Sequence, residues 1–165
     1  MCNQLFSWRI TKYNPKKRDK IGAYLDDKEW TCFSEVGTKV SEEDYLRTES
    51  DYINAITTFM VEMGLNKIYL NDLEIWSDEV VSQNASNFLR KMWVGKAVTA
   101  QEVRELARLT LRNVIWCKLS YKKEFFVHFG YDYYMYIGAI KDCSNAQEKV
   151  QDTGLYVENF NSPYY

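Results

Sequence analysis

Glycine and proline are scarce in this chain, at seven and two residues, and histidine occurs once. No stretch approaches the roughly 18 consecutive apolar residues of a membrane-spanning helix. Each shortage excludes something. Low Gly and Pro, with neither sign of charge dominant, remove collagen-like and low-complexity disordered chains. The four cysteines, Cys2, Cys32, Cys117 and Cys143, form no C-x-x-C pair. One histidine cannot complete a zinc ligand set, so no metal or other cofactor is expected. The opening MCNQLFSWRITK lacks an apolar run of the kind that directs secretion, so free thiols in a reducing cytoplasm are expected. There is no Gly-rich phosphate loop, G-x-S-x-G, H-E-x-x-H or calcium loop. With 21 basic against 23 acidic side chains, the chain has no basic field for generic nucleic-acid binding.

Aromatic side chains are what the chain has in quantity, including 13 Tyr and five Trp. They favour either an aromatic core on a sheet or an adhesive exterior. In LFSWRITKY, Phe6, Trp8 and Ile10 alternate with Ser7, Arg9 and Thr11, the pattern of a half-buried strand that ends at Asn14-Pro15. The charged stretch NPKKRDKIGAY then reads as an exposed loop, and WTCFSEVG (30–37) as a second strand. Ser41 and Asp44 make a variant capping box for a helix. Tyr45, Tyr52, Ile56, Phe59, Met60 and Met63 recur along it at helical spacing, and Gly64 stands where a left-handed cap belongs. Such a helix lays one face on a sheet and turns Glu42, Glu43, Glu49 and Asp51 outward against the single Arg47.

KIYLNDLEIW (67–76) reads as a third strand. Val81, Ala85, Phe88, Leu89 and Met92 continue a helical series through SDEVVSQNASNFLRKM, and Thr99 with Glu102 caps a further helix. From residue 114 three strands, VIWCKLSY, EFFVHFG and YYMYIGAI, are separated only by Lys122-Lys123 and Tyr131-Asp132. Connections this short demand an antiparallel meander, because parallel pairing needs a long crossover. A polar segment (141–152) precedes a short strand in GLYVEN. The expectation is a single globular α+β domain over residues 1–165. Its mostly antiparallel sheet ends in a C-terminal three-stranded meander, with about three helices packed on it.

The candidate chemistry gathers in FFVHFGYDYYMYIG (125–138), which holds the only histidine. His128 is the residue type that titrates near neutral pH, but no nucleophile motif accompanies it. Alternation places Phe126 and His128 on one face of their strand, and Tyr134 and Tyr136 together on one face of the next. Open to solvent, these four form a docking surface, since tyrosine offers rigid contact area at low entropic cost. Covered, they are core. The leading reading is a non-catalytic protein-binding module whose acidic helix suits a basic partner. The alternative is a small enzyme or toxin acting on nucleic acid through dispersed Tyr, His and acidic residues. A third is a small-molecule or peptide sensor with an aromatic pocket.

The run WRITKYNP…GAY…EWTCFSEVG…EEDYLRTESDYI, with FFVHFGYDYYMYIG and the ending GLYVENFNSPYY, resembles small bacterial immunity proteins of polymorphic and contact-dependent toxin systems. The resemblance implies an acidic, cytoplasmic α+β domain without catalytic residues, which binds a cognate toxin domain and holds it inactive. It has no defining motif, so it assigns a role to no individual residue. It implies neither a membrane nor a nucleic-acid partner.

Overall fold

A computed structural model describes residues 4–23 and 28–165; Cys2 and Tyr24 lie outside them. Among these residues seven strands form one sheet: β1 (Phe6–Thr11), β2 (Lys67–Ile75), β3 (Ala97–Thr99), β4 (Ile115–Tyr121), β5 (Phe125–Phe129), β6 (Met135–Ala139) and β7 (Tyr156–Asn159). Their order is β3-β2-β4-β5-β6-β1-β7, and every neighbouring pair is antiparallel. β4, β5 and β6 are the expected meander. β1 leaves its neighbours in sequence and inserts between β6 and β7, with Trp8 opposite Ile137 and Ile10 opposite Met135. Among the described residues five α-helices complete the α+β fold: α1 (Glu42–Glu62), α2 (Ser77–Ser82), α3 (Ser86–Leu89), α4 (Ala100–Leu111) and α5 (Ser144–Asp152).

α1 carries the main apolar stripe. Tyr45, Tyr52, Ile56, Phe59 and Met60 are buried, and the Phe59 ring meets Trp8 of β1 with centroids 5.2 Å apart. Ser41 accepts the Asp44 N–H at its start. At its end, Gly64 at φ +70° lets the Leu65 N–H return to the Met60 carbonyl and close a Schellman cap. α4 begins with the reciprocal Thr99–Glu102 capping box. It packs on α1 and on β4, where the Thr110 hydroxyl lies 3.4 Å from the Cys117 sulfur. α5 occupies the polar segment 144–152 and packs on α1 and β7.

Two sequence expectations fail for identifiable reasons. WTCFSEVG is not a strand. The Glu35 carboxylate accepts the N–H groups of Thr31 and Cys32 and folds the segment into a 3-10 turn at Phe33–Glu35. Trp30 and Phe33 pack against Tyr45 instead of entering the sheet. The backbone donors, Thr31 first, and Lys39 beside them hold Glu35 down at about 2, so the clasp is ionised at ordinary pH. The helical series through Val81 is also interrupted. Asn84 adopts φ +52°, and the Ala85 N–H returns to the Val80 carbonyl, so α2 ends in its own Schellman cap before α3 begins. Ala85, Leu89 and Met92 are buried as the spacing requires, but Val81 faces solvent.

Candidate functional site

Strand alternation puts Phe126, His128 and Tyr136 on the sheet face opposite the helices, as the sequence suggests, but they are not an open platform. All three are buried, and only Tyr134 remains half-exposed. The cover is the chain's own segment 160–165, which leaves β7 and crosses this face. The Phe160 N–H bonds the Ser7 carbonyl, and the Phe160 ring lies 6.0 Å from Tyr136. Tyr164 approaches Tyr136 and Trp116, while Tyr165 sits edge-on to Phe126 and His128. The expected docking surface is therefore an internal interface. Its sequence signal was present, since NFNSPYY offers three aromatic rings to a face that shows four, but the pairing of the two segments left no periodicity to read.

His128 belongs to that interface. Its ring stacks on Phe126 at 4.3 Å, and Nδ1 lies 2.7 Å from the Ser162 hydroxyl. Ser162 Oγ also accepts the Tyr164 N–H, so the pair clasps the covering segment. Burial, reinforced by Lys118 on the neighbouring strand, pulls the His128 pKa down from 6.5 to about 4, and the ring is neutral at pH 7. No carboxylate is bonded to this histidine among the described residues, and Ser162 is itself buried. Phe126 pairs with Gly138 across β5 and β6 and lays its ring over it. A Cβ at position 138 would stand 1.9 Å from that ring.

The acidic helix divides. Glu42 and Glu43 are exposed in the first turn of α1, beside Asp44, and Arg47 reaches Glu43 and Asp44 at 3.4 Å. Asp51 is half-buried, and loss of solvent raises its pKa despite the neighbouring Arg47. Glu49 does not belong to this face. It is 4% exposed and turned inward, because α4 presents Arg112 at its C-terminal end. Arg112 grips both Glu49 oxygens, at 2.7 and 2.8 Å, and also holds the Gln83 side chain at 2.9 Å. The Tyr45 hydroxyl donates to Glu49 at 2.6 Å and lies 3.1 Å from the Tyr133 hydroxyl. The hydrogen bond that Arg112 donates to Glu49 is the main reason the Arg112 pKa rises.

Tyr133 connects that network to a feature the sequence concealed. Asp132 and Tyr133 are consecutive residues with φ of +57° and +65°, at the centre of the turn between β5 and β6, which the Tyr134 N–H closes on the Tyr131 carbonyl. Such turns usually take Asn-Gly, and each non-glycine residue there costs on the order of 1 kcal/mol. Three tyrosine hydroxyls hold the strain in place. Tyr13 donates to the Asp132 carbonyl at 2.5 Å, Tyr52 to the Tyr133 carbonyl at 2.7 Å, and Tyr133 itself to the Leu111 carbonyl at 2.8 Å. The Tyr133 ring is thereby fixed edge-on to Trp30 at 4.8 Å.

This turn forms one wall of a cavity of about 350 Å³, within the range of small-molecule sites. The cavity opens where β4 begins, β5 ends and α4 terminates, with Thr31 and Cys32 of the Glu35-clasped loop on one side. Besides Tyr133, its aromatic lining is Trp76, Trp116, Phe129, Tyr131, Tyr134 and Tyr164. Trp116 is anchored by its indole N–H on the Phe129 carbonyl at 3.0 Å, and Tyr164 reaches in from the covering segment. Glu74 and Asp132 contribute carboxylates, both exposed to solvent. Sequence reading singled out the stretch that supplies Phe129, Tyr131, Tyr133 and Tyr134 and missed the rest, which comes from four further segments.

Among the described residues no cluster of His, Cys, Asp and Glu could hold a metal, and no helix is long and apolar enough to cross a membrane. Cys117 and Cys143 are buried free thiols, pushed up by burial to about 12 and about 11. No protein-family model, no characterised protein and no solved structure matches the chain.

Proposed function

We propose that the chain is a non-catalytic protein-binding module for a basic partner, and specifically an immunity protein that binds and neutralises a cognate bacterial toxin in the cytoplasm. The observation that carries this reading is the exposed first turn of α1, where Glu42, Glu43 and Asp44 stand together against the single Arg47. Charges arranged in this way steer a basic surface and fix its orientation. The engagement of His128 in packing also favours binding over proton-transfer chemistry, since its ring is neutral and turned into the fold. Co-purification with the product of the adjacent gene tests the reading. A stable complex that suppresses a toxic activity, weakened by Glu42→Lys with Glu43→Lys, is the expected result. A neighbour that is not a toxin, or a toxin neither bound nor neutralised, overturns it.

The aromatic cavity favours a second reading, in which the chain binds a small molecule or a peptide side chain. It is concave, partly apolar and partly preformed by the Tyr13, Tyr52 and Tyr133 hydroxyls.

A further inference from the structure

We infer that the cavity beside the Asp132-Tyr133 turn takes an organic cation, an ammonium or guanidinium group on an alkyl stem. The inference rests on reading the cavity as a binding site, and names the chemistry it selects. Three observations of different kinds point the same way.

The first is charge. The cavity is lined by two carboxylates, Glu74 and Asp132, and by no Lys, Arg or His. Neither carboxylate has a salt-bridge partner among the described residues. Four cations stand near the lining without forming part of it. Arg112 is held in two hydrogen bonds by Glu49, Arg9 and Arg18 lie 5.5 and 5.8 Å from the Tyr134 ring centroid and are paired with Glu158, and the Lys118 ammonium stands 5.5 Å from the Trp116 ring centroid.

The second is the helix end. α4 terminates at the cavity through Thr110, Leu111 and Asn113. The C-terminal end of a helix is its negative pole; here the last carbonyls are already bonded, Leu111 by Tyr133 and Leu109 and Thr110 by the Val114 and Asn113 N–H groups, so the backbone adds a reduced field to that of the two carboxylates.

The third is the wall. Trp76, Trp116, Tyr131, Tyr134 and Tyr164 present aromatic surface, and the negative faces of such rings attract a cation that has lost part of its water. A neutral apolar ligand would gain from the rings but nothing from the carboxylates or the helix end. An anion would be repelled by all three. An organic cation is the ligand class that uses every wall.

The test compares choline with its neutral isostere 3,3-dimethyl-1-butanol on the full chain, following the indole N–H signals of Trp76 and Trp116 by NMR. Saturable shifts with choline, at least tenfold weaker with the alcohol, are expected. They should also weaken tenfold or more in a Glu74→Gln/Asp132→Asn variant of unchanged melting temperature. Asn tolerates the positive φ of position 132, so that variant keeps the turn. Equal or tighter binding of the alcohol overturns the cation assignment and leaves the cavity a binding site. Failure of both probes overturns the cavity reading as well. Undiminished choline binding in the double variant overturns the placement. A parallel titration with N-acetyl-lysine methylamide distinguishes the source. Tighter lysine binding marks a partner's side chain as the occupant, and tighter choline binding a free quaternary cation.

Discussion

Tyr52 donates its buried hydroxyl to the backbone carbonyl of Tyr133 at 2.7 Å, so a side chain of α1 holds the strained turn that walls the cavity. The same oxygen accepts the Lys12 N–H at 2.8 Å, which ties the end of β1 to the same point. Replacing Tyr52 with Phe leaves an N–H and a C=O without their partner. A loss of about 2–3 kcal/mol follows from two unsatisfied groups. Urea unfolding should show the midpoint falling with unchanged m-value. An unchanged midpoint would mean that water replaces the hydroxyl at no cost.

Arg112→Met strands the Glu49 carboxylate in the core. Breaking one side of a buried ion pair costs about 3–5 kcal/mol, mostly through the charge left behind. Removing both charges, in Glu49→Leu/Arg112→Met, should therefore cost less than the single change. Chemical denaturation of the three proteins decides it; a double variant less stable than the single one refutes the argument.

The solitary histidine gives stability a pH dependence. Unfolded, His128 binds a proton below about 6.5; folded, it does so only below about 4. Above pH 6.5 neither state carries the proton and the contribution is full. Between pH 6.5 and 4 the unfolded chain is protonated and the folded one is not, so stability falls as the pH is lowered. The difference amounts to about 3 kcal/mol across the window. Unfolding free energies at pH 7 and pH 5 should show the fall, and His128→Leu should flatten it. A His128→Leu variant with an undiminished slope would assign the pH dependence to other groups.

Removing residues 160–165 uncovers the same ring. The His128 pKa should then rise from about 4 toward 6.5, because burial is the larger cause of its depression. With one histidine in the sequence, its imidazole signals can be titrated without assignment ambiguity. The truncated chain should also bind a hydrophobic dye through Phe126 and Tyr136. A pKa that stays near 4 would show that the segment is not the cover.

Gly138→Ala should be destabilising by about 1–3 kcal/mol, the usual range for overpacking, since the new methyl group meets the Phe126 ring. In a Phe126→Ala background the same change should cost little. The double-mutant cycle measures the coupling, and additive losses would locate the clash elsewhere.

The elements written in local patterns were legible in the sequence. The alternation of β1, the stripe and caps of α1, the Thr99–Glu102 box and the short turns of the meander are all decided by neighbouring residues. What escaped was decided across the chain. Glu49 has the spacing of an outer-face acid and turns inward only because Arg112 arrives from α4. Phe126 and His128 have the pattern of an open face until Ser162 and Tyr164 cross it. WTCFSEVG alternates like a strand, yet one carboxylate, Glu35, redirects its backbone. The cavity was the least legible, because Asp132-Tyr133 lacks the usual turn residues and its walls come from distant segments.

The place of β1 between β6 and β7 has a consequence for how the chain is made. As the polypeptide leaves the ribosome, the strand bearing Trp8 and Ile10 emerges before the other six strands described for this sheet, yet both of its partners lie beyond residue 134. Those apolar side chains must wait, exposed or sheltered by α1, while the rest of the sheet is synthesised. Closure of the sheet thus waits until residues 135–159 have been made, and contacts this distant in sequence slow it further. The nascent chain is most vulnerable to aggregation and to chaperone capture through its first strand.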